Sequence, residues 1–219
     1  MRSSGSDEAK RARLVNDLKE EGIIRSRRVE EAILAVNREL FTDTPLKTCA
    51  YLDRPLPIGG GQTISAPHMV AIMAEEMLCK EGDRVLEIGS GSGYHAAVVS
   101  RLVGPEGHVY SVERVHELAV RAERNINEAN IGNITIIEGD GSLGYPEKAP
   151  YDRIYYTCAA PEIPDLVMDQ LARGGILLGV VGPIGSVQRL IRYTKEGGRV
   201  KEEKLTRCVF VPLIGELGY

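Results

Sequence analysis

The chain has 219 residues, 43% of them hydrophobic and 26% charged, with a formal net charge of −4 and a pI near 5.7. Such a composition supports a buried core of ordinary size and argues against disorder over most of the length, while the slight acidity argues against nucleic acid or an anionic membrane as the main partner. Cys49, Cys79, Cys158 and Cys208 are dispersed, with no C-x-x-C pair and no histidine at zinc-ligand spacing, so neither a disulfide framework nor a metal site is expected. Scattered thiols fit a reducing cytoplasm. The opening segment, MRSSGSDEAKRARLVNDLKEEG, has no apolar run, and the most apolar stretch, GGILLGVVGPIG, is too short and glycine-broken to span a bilayer; neither export nor membrane insertion is expected.

In chain order, Asp7 to about Gly22 mixes acids and bases as a solvated helix face does. RRVEEAILAVNREL then puts Val29, Ile33, Leu34 and Val36 near helical spacing, predicting a second short helix. FTDTPLKTCAYLDRPLPIGGG, rich in proline and glycine, reads as an irregular connection with room for a short strand. APHMVAIMAEEML carries Met69, Val70, Ile72, Met73 and Met77 on one helical face, a pattern of core packing. From Asp83 the pattern becomes strand–helix alternation: RVLEIG, YHAAVVSRLVG, HVYSVE, VHELAVRAERNINEAN and ITIIEGD, followed by YDRIYYTCA, a helix through IPDLVMDQLA and the strand GGILLGVVG. Alternation of this kind predicts a mostly parallel, doubly wound sheet with right-handed crossovers. The tail, SVQRLIRYTKEGGRVKEEKLTRCVFVPL, reads as two strands joined at KEGGR, an antiparallel hairpin closing the sheet. The expected organisation is one domain over 1–219, with N-terminal helices and a covering segment (1–82), a nucleotide-binding core (83–185) and C-terminal strands (186–219).

VLEIGSGSGYHAA places Gly89, Gly91 and Gly93, with Ser90 and Ser92 between them, at the turn from the first core strand into its helix. In an open α/β sheet that turn lies in the ligand crevice, where glycine lets the backbone approach a ligand and the helix N-terminus offers free N–H groups. Gly91-x-Gly93-x-x-Ala96 also fits the looser dinucleotide fingerprint, so the turn alone leaves the cofactor open. Three acids bear on it together, although Glu113 taken alone fits both cofactors. Glu87, two residues before the first glycine, is placed to meet an ammonium group and is ill suited to a pyrophosphate. Glu113 ends the second strand about 20 residues beyond the last glycine, the usual place for a carboxylate that binds a ribose diol. Asp140 and the Gly141 backbone, in EGDGS, end the third strand where they can read an adenine edge. An amino acid joined to a nucleoside is S-adenosylmethionine.

With these residues in view, the chain resembles the protein L-isoaspartate (D-aspartate) O-methyltransferases from about Val29 to Ile214. The resemblance rests on DRPLPIGGGQTISAPHMVAIM, VLEIGSGSGY, EGDGSLGYPEKAPYDRI, AAPEIPDLVMDQLARGG and VFVPL; GQTISAPHM is the most family-specific string, whereas many methyltransferases share the glycine turn. The resemblance implies a Rossmann-like class I methyltransferase fold and transfer of a methyl group from S-adenosylmethionine, leaving S-adenosylhomocysteine, to the free α-carboxylate of isoaspartyl residues in damaged proteins and peptides. The resulting ester reverts to normal aspartate by way of a succinimide. Ser65 is implied at the active-site position, with Ile64, Val211 and Ile214 beside the substrate. The cofactor set comprises Gln62, Thr63, Ile64, His68, Glu87, Gly89, Ser90, Gly91, Ser92, Gly93, Glu113, Arg114, Asp140 and Gly141, with no metal. Cys158 in TCAAP, the proline-free LGVVG and Ile214 depart from the family pattern and bear on the peptide groove. A monomer is expected.

The chemistry so implied needs no strong base, since a carboxylate with a pKa of roughly 4 is already ionised at neutral pH. Ser65 is then expected to orient the acceptor, unless it merely caps the helix that Pro67 opens. His95, His108 and His116 read as surface or packing residues. An RNA or small-molecule methyltransferase of the same fold would call for a basic groove, an NPPY-type motif or a cysteine nucleophile at the fourth core strand, where YYTCAAPEIP offers only Cys158. A cofactor-binding adaptor without catalysis is disfavoured by GQTIS standing intact beside an intact glycine turn.

Overall fold

The computed structural model describes residues 6–219, and the first five residues of the charged opening segment lie outside it. Helix α1 (Asp7–Glu20) starts where the Ser6 hydroxyl accepts the Ala9 N–H, and α2 (Arg27–Leu34) where Ser26 does the same for Val29. Sparse as they are, Leu14, Val15 and Leu18 of α1 are buried and join Val29, Ala32 and Ile33 of α2 in the core. Two 3₁₀ turns, Arg38–Phe41 and Thr44–Cys49, carry the irregular connection. Strands β1 (Leu56–Gly59) and β2 (Gln62–Ile64) then pair antiparallel across the triple glycine. Gly59, Gly60 and Gly61 have φ of +87°, +58° and +72°, three left-handed positions in a row, so the reversal demands glycine. Helix α3 (Pro67–Met77) follows at once, burying Met69, Val70, Met73 and Met77 as expected, with Ile72 partly buried.

The core alternates β3 (Arg84–Ile88), α4 (Tyr94–Val103), β4 (His108–Glu113), α5 (His116–Glu128), β5 (Ile134–Glu138), β6 (Tyr151–Ala160), α6 (Asp165–Asp169) and β7 (Leu171–Val181), and ends in β8 (Gln188–Glu196) and β9 (Arg199–Cys208). One seven-stranded sheet results, in the order β5-β4-β3-β6-β7-β8-β9. Strands β3 to β7 pair in parallel, and β8 and β9 add the antiparallel hairpin that the tail predicts. Because the chain runs outward from β3 to β5 and returns on the other flank at β6, the strand order reverses beside β3. A crevice opens there at the carboxyl ends of the strands.

One element is shorter than the sequence predicts. The helix expected through IPDLVMDQLA is the single turn α6, and β7 already begins at Leu171. Gln170 accounts for the early exit: its Nε2 donates to the carbonyls of Leu143 and Leu166, its Oε1 accepts the Tyr145 N–H, and its own carbonyl accepts the Tyr151 N–H. Those bonds tie the segment to β6 and the loop before it, and the Gln170 carbonyl, taken by Tyr151, is not free for a further helical turn.

Candidate active site

At the end of β3 the chain turns through Gly89, Gly91 and Gly93, with φ of +98°, +53° and +85°. A Cβ on Gly89 would run into the Thr157 hydroxyl, so this close approach needs glycine for space as well as for φ. Glu113, at the end of β4, ties the turn down: one carboxylate oxygen accepts the Gly91 N–H at 2.8 Å and the other the Val115 N–H at 3.0 Å. Helix α4 has no side-chain cap, so the N–H groups of its first turn and the positive end of its dipole face the crevice.

Beneath the turn lies a buried polar chain. The Ser90 and Ser111 hydroxyls are 2.6 Å apart, Ser111 donates to Glu87, and the Tyr155 hydroxyl donates to the other Glu87 oxygen at 2.7 Å. Burial pushes the Glu87 carboxyl up to about 8, against the opposing pull of the Ser111 and Tyr155 hydrogen bonds. The same burial, with Glu113 and Glu87 nearby, pushes the Cys158 thiol far above its ordinary value, so it is no thiolate nucleophile at neutral pH.

Over this floor stand Gln62, Thr63, Ile64 and Ser65 on one side and Val211, Pro212, Leu213 and Ile214 on the other, with Arg114 and Gly141 at one end, enclosing about 810 Å³ with the open mouth included. The C-terminal wall is held by β6: the Ala159 N–H donates to Val211 at 2.8 Å, and the Leu213 N–H donates to Ala159 at 2.7 Å. Ser65 does not cap α3. Ala66 is the N-cap residue, Pro67 opens the first turn, and the His68 N–H is taken by Asp53 at 2.9 Å. The Ser65 hydroxyl has no hydrogen-bond partner among the described residues, and Ser65 lines the cleft.

Of the expected cofactor set, Gln62, Thr63, Ile64, Gly89, Ser90, Gly91, Ser92, Glu113, Arg114 and Gly141 line the cleft, as do Ser65, Val211 and Ile214 of the substrate set. Four residues do not. Glu87 is fully buried with both oxygens engaged, so the direct ammonium contact expected of its side chain is corrected to support of the turn from below. His68 turns to Asp53, its Nδ1 lying 2.9 Å from the carboxylate, and does not line the cleft. Gly93 serves packing: a Cβ there would lie 3.2 Å from Ile126 of α5. Asp140 was expected at an adenine edge, but it accepts the Ser142 N–H and hydroxyl on one oxygen and the Glu216 N–H on the other. Burial opposes its ionisation, yet those bonds hold its carboxyl below the usual range. Its side chain pins the C-terminal tail.

Sequence reasoning missed several wall residues, Tyr94, His95 and Thr157 among them. His95, taken as a surface or packing residue, lines the cleft with neither ring nitrogen partnered among the described residues. Burial, aided by the charge of Arg38, pushes it down to about 3, so its ring is neutral. The signal was available: His95 stands in the first turn of the helix behind the glycine turn.

A switch-point crevice, a glycine turn against an uncapped helix and a carboxylate at the end of the neighbouring strand fit a nucleoside cofactor, and the solved structures that share the fold place the chain in the class of S-adenosylmethionine-dependent methyltransferases. The family model for protein-L-isoaspartate(D-aspartate) O-methyltransferase matches residues 9–218. A protein-L-isoaspartate O-methyltransferase of Hyperthermus butylicus is 52% identical over 220 residues, covering 95% of this chain and 90% of the relative. That of Methanococcus maripaludis is 48% identical over 206 residues, covering 94% and 96%. Among solved structures, a protein-L-isoaspartate O-methyltransferase superposes with a TM-score of 0.86 at 33% identity, over 95% of this chain and 67% of the other. A Plasmodium falciparum structure described as the same enzyme, in complex with S-adenosyl-L-homocysteine, superposes with a TM-score of 0.82 at 28% identity, over 93% and 98%. The chain belongs to the protein-L-isoaspartate (D-aspartate) O-methyltransferase family, whose activity is S-adenosylmethionine-dependent methylation of isoaspartyl carboxylates in protein repair. Among the described residues, no helix is long and apolar enough to cross a membrane.

Proposed function

We propose that Ser65 orients the accepting carboxylate, and that the cleft divides between a cofactor half and a substrate half that meet at this residue. Gly89–Ser92, Glu113, Arg114 and Gly141 belong to the first, Val211 and Ile214 to the second, and Gln62, Thr63 and Ile64 cover the join. When bound, S-adenosylmethionine supplies an electrophilic methyl group on a sulfonium. The isoaspartyl carboxylate is ionised without help, so the protein's task is to hold one oxygen in line, keep water out and leave the acceptor undistorted. The Ser65 hydroxyl donates to the carboxylate, and Glu113 retains lone pairs for a ribose diol beyond those it gives to Gly91 and Val115.

One observation carries this reading: Ser65 lines the cleft with its hydroxyl unengaged, although its position at the mouth of α3 invites a cap. Ser65→Ala is expected to lower the methylation rate about a hundredfold while cofactor affinity, measured by calorimetry, stays within about twofold. Equal loss of both would make Ser65 a structural residue only. We further read the protein as one domain over 1–219 that works as a monomer in the cytoplasm and accepts D-aspartyl as well as L-isoaspartyl residues. The four cysteines, all unpaired in the structure, support a reducing compartment.

A further inference from the structure

Arg38 is fully buried behind the Ser65 wall and takes no part in the roles assigned so far. Its Nη2 donates to the Ser65 carbonyl at 2.8 Å and its Nε to the Ala50 carbonyl at 2.9 Å. The guanidinium lies 4.8 Å over the ring of Tyr94, a cleft residue, and Nη1 has no hydrogen-bond partner among the described residues. Among the described residues no carboxylate lies within salt-bridge distance of it, and the groups that act on its charge include the Tyr94 side chain and, at longer range, Asp53. The acid it feels, Asp53, is engaged by His68. Burial lowers the pKa of Arg38, but an arginine keeps its charge under any condition in which the protein folds.

Buried charges are ordinarily paired, because desolvating an ion without a counter-ion is costly. The other unpartnered polar group at this end of the cleft is the neutral ring of His95, next in sequence to Tyr94. A cation without a salt-bridge partner and with a spare Nη1 donor therefore stands behind the same wall as the Ser65 hydroxyl.

We infer that Arg38 is a positioning residue for the substrate: it fixes the Ser65 segment through the Ser65 carbonyl, and its unpaired charge draws the isoaspartyl carboxylate into the Ser65 end of the cleft. The inference rests on the role proposed for Ser65. Because the carboxylate loses its charge as the ester forms, attraction from Arg38 is greatest for the bound substrate and weaker in the transition state. Its removal should therefore appear in KM more than in kcat.

The test compares wild type, Arg38→Met and Arg38→Lys with an isoaspartyl peptide as substrate and its neutral carboxamide counterpart as inhibitor. In Arg38→Met, KM for the peptide is expected to rise at least about tenfold, cofactor affinity to stay within about twofold, and the preference for carboxylate over carboxamide to collapse; Arg38→Lys, which keeps the charge, should recover most of that preference. A folded Arg38→Met with unchanged KM, or one that weakens carboxylate and carboxamide alike, overturns the inference. Should Arg38→Met not fold, the wild-type protein decides. Weaker binding of the carboxamide by at least about tenfold is expected, and equal binding overturns the inference. Loss of all methylation by the wild type would instead strike the activity itself, so the two failures are separable.

Discussion

Two glycine-rich turns serve the site, one lining the cleft and the other leading into its wall, and they are held in opposite ways. The turn after β3 is wired from inside: Glu113 takes the Gly91 N–H, Thr157 leaves no space beside Gly89, and the chain Ser90–Ser111–Glu87–Tyr155 supports it from below. The triple-glycine turn of the β1–β2 hairpin is held from outside. Arg121 donates to the Ile58 carbonyl at 2.9 Å and pairs with Asp43, and Arg38 holds the Ser65 carbonyl, while Thr63 stays exposed and the Ser65 hydroxyl stays free. The difference teaches how the two halves of the site are built. On the division proposed above, the cofactor half is fixed by a buried polar network, and the hairpin beside it is anchored through the Ile58 and Ser65 carbonyls.

The sharpest way to break this comparison is the same substitution in both turns. Gly89→Ala faces a φ of +98° and the Thr157 hydroxyl at once. It is expected to cost more than about 3 kcal/mol in chemical denaturation and to abolish cofactor binding in calorimetry. A milder effect is expected beneath the turn. Glu87 has a folded carboxyl pushed up to about 8 against an ordinary 4.5, so the unfolded chain loses its proton first, and stability present below 4.5 is lost as pH rises through 8. Glu87→Gln escapes that loss, and its stability relative to wild type should improve by about 1 to 3 kcal/mol from low to high pH. A pH-independent difference would show that Glu87 is not the buried acid described. The smallest effect belongs to Gly60→Ala, whose new Cβ meets nothing nearer than 3.7 Å and strains only the φ of +58°. About 1 kcal/mol of stability should go, with the methylation rate nearly unchanged. A loss as large as that at Gly89 would erase the distinction between the turns.

The order of strands and helices, the closing hairpin and the place of the crevice were all readable from the sequence, because periodicity and glycine placement report on elements and turns. Side-chain direction was not. Strand β3 is buried at four of its five positions, so no alternation tells which way Glu87 points; the register that sets it opposite Ser111 on β4 and Tyr155 on β6 exists only in the sheet. The side-chain partners of Asp140 and His68 were hidden for a related reason. Besides the local Ser142, Asp140 binds Glu216, 76 residues on, and His68 binds Asp53, 15 residues back, so these contacts are decided by how the chain returns. Arg38 was invisible to sequence reasoning because a single arginine after a helix carries no sign of burial, and only the fold puts it behind Ser65. The triple glycine, by contrast, was legible as a segment that leads into the cleft wall, and the structure adds that it is a hairpin turn with three left-handed residues.

The central claim, that this cleft selects one carboxylate and methylates it, is tested most directly by offering methyl-labelled S-adenosylmethionine with two peptides that differ only in an aspartyl or an isoaspartyl residue. Label in the isoaspartyl peptide alone is the predicted result. Equal labelling of both peptides, or of neither, would contradict it.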